Sequence, residues 1–213
     1  MNKMPGNTLA DAIKSYDYPA ITYDFVERRE RRFSSMRELD KHLESLLHSV
    51  DIDRLKDGLS GILYWGFYRT RYKDYRVDEF RRKIDDDHLR RAAEAFRVLD
   101  GTGLKRLKEL ALPQFSKMAF VTKLRTFLDP ERYCVLDSKI ASLKPLANRL
   151  KRCATYIPVT AENERAYRWW VETCGCLASQ LPMKARPVDV ERGLFYLVDR
   201  GELETAAGYI SSF

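Results

Sequence analysis

The sequence predicts an all-α protein with at most a short pair of strands near the N-terminus. Apolar residues recur at steps of three and four in at least five segments of the 213-residue chain, which is the pattern of helices with one buried face. Strand-like alternation is confined to residues 21–26. The chain has no internal repeat and no low-complexity tract, and its length fits one domain or two helical lobes that share a cleft.

The first hundred residues contain several helix signals. Residues 9–16 predict a short helix, and Ser35 with Glu38 forms a capping-box pattern at the start of the next one. Residues 52–72 are apolar on most sides, which predicts a central helix whose glycines permit close packing. The three aspartates at 85–87 predict a helix start, because acidic side chains favour the positive end of the helix dipole.

The second half of the chain continues this pattern. Residues 104–110 predict a short basic helix, and residues 112–116 predict a tight turn before a helix that begins at Lys117. Three further helices are predicted at residues 139–150, 162–180 and 187–200.

The composition is that of a soluble globular protein, with 45% hydrophobic and 32% charged residues. Lys and Arg number 38 against 31 Asp and Glu, and this net charge of +7 favours an anionic partner. The four cysteines lack metal-site spacing and are expected to be buried thiols in a reducing compartment. With no apolar signal core and no run of 18 apolar residues, we expect a cytoplasmic protein without a membrane partner.

Residues 110–143 carry the functional prediction. Lys117 falls on the apolar stripe of its helix, whose other members are Val121, Leu124 and Leu128. Lys117 also stands in the first helical turn, where the dipole disfavours a cation. Both effects favour the neutral amine, which is the nucleophilic form of lysine. Asp137 follows the apolar run 133–136 and precedes the next predicted helix.

This order of residues resembles the helix-hairpin-helix (HhH-GPD) DNA glycosylase superfamily. In that family a hairpin of the form L-P-G-V-G leads to a lysine, an apolar helix follows, and V-D-x-x-[VI] carries a catalytic aspartate. Here the hairpin is LPQFS, the lysine is Lys117, and the aspartate is Asp137 in VLDSKI, 20 positions later. Gln114 and Ser116 replace the two hairpin glycines. The stretch FLDPERYCVLDSKIASL is most similar to the 8-oxoguanine DNA glycosylase branch and its small bacterial relatives.

The resemblance implies an enzyme that excises a damaged or modified base, with an 8-oxoguanine-like purine favoured, and that then nicks the strand as an AP lyase. Lys117 would attack C1′ of the sugar and Asp137 would stabilise the developing positive charge. The implied partner is double-stranded DNA with an extruded base, bound by a monomer without a metal or organic cofactor. The implied fold is a single domain over residues 1–213, with one lobe at 34–150 and another formed by 1–33 and 151–213.

The same resemblance suggests which residues meet the DNA. Phosphate contacts are expected from the hairpin and its flanking helices, at Gln114, Ser116, Lys105, Lys108, Lys123 and Arg125. Aromatic residues expected to line a base pocket are Tyr64, Trp65 and Trp169. Core packing is the competing interpretation for at least one of them.

Several alternatives stay open at the level of sequence. Asp137 is also a good N-cap for the helix at 139–150, and a lysine in a first turn is common on surfaces. The base could be a bulky modified pyrimidine, as in phage DNA, which would imply a role in defence. A helix-hairpin-helix protein that binds DNA without catalysis, and a purely structural helical module, are the hypotheses from other classes.

Overall fold

The computed structural model of the protein describes residues 8–101, 103–211 and 213. It is mostly helical and carries one small two-stranded sheet, as the sequence predicted. The α-helices are α1 (Leu9–Lys14), α2 (Met36–Leu47), α3 (Ile52–Gly66), α4 (Lys73–Lys83), α5 (Asp86–Arg97), α6 (Leu104–Glu109), α7 (Met118–Leu128), α8 (Lys144–Ala147), α9 (Ala161–Gln180), α10 (Pro187–Asp199) and α11 (Leu203–Ile210). Strands β1 (Ile21–Asp24) and β2 (Arg29–Arg32) pair antiparallel.

Helix α3 is the centre of the first group of elements, because α2, α4, α5, α7 and β1 all pack against it. Nine of its residues are buried, including every position from Gly58 to Trp65. A Cβ at Gly58 would lie 2.9 Å from Leu46 Cβ, and one at Gly61 would lie 2.7 Å from Thr22 Oγ1. These glycines therefore let α2 and β1 approach α3 closely, which confirms the packing role predicted for them.

Helix α10 organises the second group, in which α1, α9 and α11 pack against it. A buried ionic cluster ties this group to α2: Asp40 accepts from Arg192 at 2.6 and 2.9 Å and from Arg186 at 2.8 Å. Asp189 completes the cluster by accepting from Arg186 at 2.8 and 3.0 Å. Breaking one member of such a buried set leaves a charge without its partner, so the cluster fixes α10 relative to α2.

Helix α7 is buried on nearly all sides, since only Ala119 and Phe120 among its residues are partly exposed. The predicted single helix at 139–150 is wrong. A 3-10 turn at Ile140–Ser142 and the short α8 replace it, because Pro145 permits a helix start but not the interior of a long helix. The central helix predicted at 52–72 ends earlier, at Gly66, and helix α11, beyond Gly201, was not predicted.

The structure also tests two expectations drawn from the composition, on the cysteines and on membrane-spanning helices. The cysteines divide into buried Cys134 and Cys174 and exposed Cys153 and Cys176, so the prediction of burial holds for only two of them. Among the described helices, none combines the length and apolar character needed to cross a membrane.

Candidate active site

Lys117 lies at the surface, one residue before α7 begins. Its backbone is extended (φ −107°, ψ 152°) and bridges to Pro158, while the next residue, Met118, donates its N–H to the carbonyl of Ile157 at 3.1 Å. The Lys117 ammonium rests over the ring of Tyr156, 4.8 Å from its centroid. The expectation that Lys117 joins the core-facing stripe of a helix is therefore wrong, because pairing with residues 157–158 delays the helix start.

Lys123, six positions further along, is the lysine that the fold buries. It is 8% exposed, and its Nζ lies 4.0 Å from Asp137 Oδ2. The end of α3 makes room for it: a Cβ at Gly66 would lie 3.3 Å from Lys123 Cδ and 2.8 Å from Phe120 Cε1. The structure thus pairs Asp137 with Lys123.

Asp137 has two roles in the structure. Its Oδ1 accepts from the backbone N–H groups of Lys139 at 3.0 Å and Ile140 at 3.1 Å, which caps the 3-10 turn as the sequence analysis anticipated for a helix. These two bonds fix the carboxylate while Oδ2 remains directed at Lys123. The capping and catalytic interpretations of Asp137 are therefore compatible, because each uses a different oxygen.

Lys123 and Asp137 line a cavity of about 210 Å³. Four aromatic side chains contribute to its wall, and they are Tyr16, Tyr18, Trp65 and Phe195. Tyr18 is held in place by donating its hydroxyl to the carbonyl of Trp65 at 3.0 Å, and Arg69 covers its ring at 4.7 Å. The cavity therefore joins a lysine–carboxylate pair to flat apolar surfaces, which suits a planar ligand.

Glu191 on α10 supplies a second carboxyl group to this cavity. It is 4% exposed, and burial, reinforced by the nearby charge of Asp137, raises its pKa to about 8. This rise in pKa is only partly offset by the positive charges of Arg192 and Lys123 and by a hydrogen bond from the Val135 backbone. Glu191 therefore carries its proton at neutral pH and can donate it.

The rim of the cavity is held by ion pairs across the two helical groups. Lys139 pairs with Asp199, which also accepts from Arg69 at 3.3 Å. Arg69 in turn reaches Asp17 at 3.3 Å. These contacts connect α10 to the segment after α3 beside the opening.

The three aromatic residues predicted for the base pocket separate in the structure. Trp65 lines the cavity. Tyr64, although adjacent in sequence, points elsewhere and bonds to Glu30 and, at 2.6 Å, to Lys73. The guanidinium carbon of Arg149 lies 4.2 Å from the ring centroid of Trp169, and Trp169 lines a different hollow. The structure therefore does not bring Tyr64 or Trp169 to Lys123 and Asp137.

Two of the predicted phosphate contacts are wrong, because their side chains are buried. Arg125 is 3% exposed and donates to the carbonyl of Gly101 at 3.0 Å while covering the ring of Tyr133 at 3.6 Å. Lys123 is 8% exposed and lines the cavity described above. Because α7 is buried on nearly all sides, its charged side chains pair with groups inside the protein, and both are withdrawn from the surface where a phosphate would lie.

The other four predicted phosphate contacts are at least partly accessible. Ser116 is exposed, and Lys105 is exposed beside Glu109. Lys108 donates to the carbonyl of Val159 at 3.1 Å. Gln114 adopts a left-handed conformation (φ 70°), the region that glycine normally occupies, and donates to Glu79 at 2.6 Å.

The cavity residues that the sequence did not predict include Tyr16, Tyr18, Glu191 and Phe195, and Lys123, expected at the DNA surface, lines the cavity instead. The sequence feature that could have predicted a buried Lys123 is its place in the middle of the apolar run FVTKLRTFL. No protein-family model matches the chain, and no curated protein and no solved structure matches it either. What the cavity offers chemically is the amino group of Lys123, a fixed carboxylate and a protonated carboxyl group within one aromatic-walled space.

Proposed function

We propose that the protein is a DNA glycosylase with AP lyase activity, in which Lys123 is the nucleophile and Asp137 its partner. The observation that carries this proposal is the 4.0 Å approach of Lys123 Nζ to Asp137 Oδ2 at an aromatic-walled cavity that opens to the surface. Further support comes from the resemblance of residues 110–143 to helix-hairpin-helix glycosylases and from the net charge of +7. Lys117, the lysine expected first, lies outside this cavity.

The proposed reaction begins when the Lys123 ammonium releases a proton to water and the freed lone pair of Nζ forms a bond to C1′ of the extruded nucleotide. The bond between C1′ and the base breaks, and the base departs with the electron pair. The positive charge that develops on the sugar lies close to Asp137, whose fixed carboxylate stabilises it without reorganising. A proton then passes from the nitrogen to O4′ as the C1′–O4′ bond breaks, which leaves a protonated Schiff base and a free O4′ hydroxyl. The carboxylate of Glu191, which gave its proton to the base, takes a proton from C2′, and the C3′–O3′ bond breaks with its electron pair leaving on the 3′ phosphate, which nicks the strand.

Glu191 is the proton donor that this scheme requires. The departing base carries a negative charge unless it receives a proton, and Glu191 is the carboxyl group in the cavity that holds one at neutral pH. Its O–H and C=O also present one donor and one acceptor, which complements a base edge with the same two functions side by side. We propose an 8-oxoguanine-like purine as the favoured base, and a bulky modified pyrimidine is the second candidate.

The test is a panel of duplexes, each carrying one modified base, incubated with the wild-type protein under borohydride. We expect one member of the panel to give a covalent adduct and a nicked strand. Lys123→Gln should abolish both, and Asp137→Asn should lose most base release, while Lys184→Gln, at an exposed site that neither lines this cavity nor is a predicted DNA contact, should behave as wild type. Thermal melting of each variant accompanies the assay, because Asp137 also caps a turn and its loss costs about 1 kcal/mol.

Salt-dependent DNA binding without an adduct on any duplex would contradict the catalytic proposal and favour a DNA-binding protein without chemistry. Absence of DNA binding altogether would favour a structural module.

A further inference from the structure

A second and larger hollow, of about 830 Å³, lies beside the predicted hairpin and next to the Lys123 cavity. It is lined by residues 152–157, by Phe67 and Arg76, and by five residues at and after the predicted hairpin, namely Gln114, Ser116, Lys117, Ala119 and Phe120. Ser138, which follows Asp137, lines both spaces. A chain that leaves the Lys123 cavity past Ser138 therefore enters this groove directly.

The groove is positively charged. Three of its lining residues are cationic, namely Arg76, Lys117 and Arg152, and the described residues that line it include no aspartate or glutamate. Outside the lining, Glu79 lies 3.5 Å from Arg76 and accepts a hydrogen bond from the side chain of Gln114. The surface therefore attracts a polyanion.

The groove also presents flat aromatic faces. Phe67 and Phe120 line the groove and stack with their centroids 4.4 Å apart, and Lys123 Nζ lies 5.3 Å from the Phe120 centroid. On the opposite side Tyr156 is 41% exposed, and Lys117 is 4.8 Å from its ring centroid. Cations interleaved with accessible rings are the arrangement by which proteins hold unpaired nucleic acid, because phosphates meet the charges and bases stack on the rings.

We propose that this groove binds an unpaired stretch of DNA next to the nucleotide held at Lys123, with one base stacked on Tyr156. Phosphates of that stretch lie against Lys117 and Arg152. This inference rests on the proposed function and names its substrate class as a strand that is unpaired beside the extruded nucleotide. A fully paired duplex keeps its bases stacked on one another, so it offers the groove phosphates and no free ring face.

The test is a binding titration that needs no chemistry. The Lys123→Gln protein is titrated, by fluorescence anisotropy, with a deoxythymidine oligomer of about 15 nucleotides and with a paired duplex of the same length. We expect Tyr156→Leu in that background to weaken single-strand binding at least fivefold and duplex binding less than twofold, because one stacking contact is worth roughly 1–3 kcal/mol. The double variant Lys117→Gln, Arg152→Gln should bind both the single strand and the duplex more weakly, and its affinity should depend less steeply on salt concentration.

Tyr209→Leu, on α11 and outside the groove, is the matched control and should change neither affinity. Equal losses for single strand and duplex in Tyr156→Leu, or no loss in either, would overturn the proposal. Because binding is read without cleavage, this outcome is separate from the fate of the glycosylase proposal, which depends on adduct formation by the wild-type protein.

Discussion

Replacing Glu191 by glutamine should make the protein markedly more stable at alkaline pH. The folded protein raises the pKa of Glu191 from 4.5 to about 8, chiefly because burial removes the carboxylate from water. Glutamine has nearly the same shape, keeps an acceptor for the Val135 backbone and never ionises. The substitution therefore removes the cost of charging a buried group and changes little else.

The size of the effect follows from linkage between protonation and folding. A group whose pKa is higher in the folded state contributes stability below its unfolded pKa and loses it as the pH rises through the folded value. At about 1.4 kcal/mol per pKa unit, the wild type should lose roughly 4 kcal/mol through Glu191 between pH 4.5 and 8. That loss is a large share of the roughly 5–15 kcal/mol that stabilises a typical domain.

The assay is urea unfolding followed by circular dichroism at pH 5 and pH 9 for wild type and Glu191→Gln. The difference in unfolding free energy between the two proteins should shift by roughly 4 kcal/mol in favour of the variant at pH 9. Glu162→Gln is the control, because a hydrogen bond from Lys151 lowers the pKa of that exposed carboxyl and its replacement gives no such gain. A difference between wild type and Glu191→Gln that is the same at both pH values would refute the assignment of Glu191 as a buried acid.

Three further predictions concern the same cavity and its helix. The rate of base release should fall as the pH rises through about 8, where Glu191 loses its proton. Rates measured from pH 6 to 10 should show this fall in the wild type and not in Glu191→Gln. Gly66→Ala should slow adduct formation at least tenfold with the fold intact by circular dichroism, because its Cβ would press on Phe120 and Lys123. Arg125→Met should lower the free energy of unfolding in urea by roughly 2 kcal/mol through its lost hydrogen bonds and leave DNA affinity within twofold. A large loss of affinity at unchanged stability would instead show that Arg125 contacts a phosphate.

The helical content and most helix boundaries could be predicted from the sequence because the apolar periodicity is strong. Ser35 and the aspartates at 85–87 stand at helix starts as predicted, and Trp170 of the predicted 162–180 helix lies in the core. These features depend on neighbours within a few positions. The break in the helix predicted at 139–150 also has a local cause, Pro145, which could have predicted it.

The partner of Asp137 could not be predicted in the same way. Periodicity identifies one buried face of a helix, but α7 is enclosed on nearly every side, so Lys123 and Arg125 are buried although they lie off the predicted stripe. What encloses them comes from distant segments, namely the end of α3 at Gly66 and the loop at Gly101. The spacing of 20 positions therefore pointed to Lys117, whereas the tertiary structure brings Lys123, 14 positions before Asp137, next to that carboxylate.

Peptide mapping of the borohydride-trapped adduct tests the central claim most directly. The wild-type protein is trapped on the duplex that it cleaves, digested, and sequenced by mass spectrometry to locate the lysine that carries the sugar remnant. We predict that the adduct lies on Lys123 and that Lys117→Gln still forms it. An adduct on Lys117, with trapping retained in Lys123→Gln, would contradict the assignment of the active site to the cavity between α7 and α10.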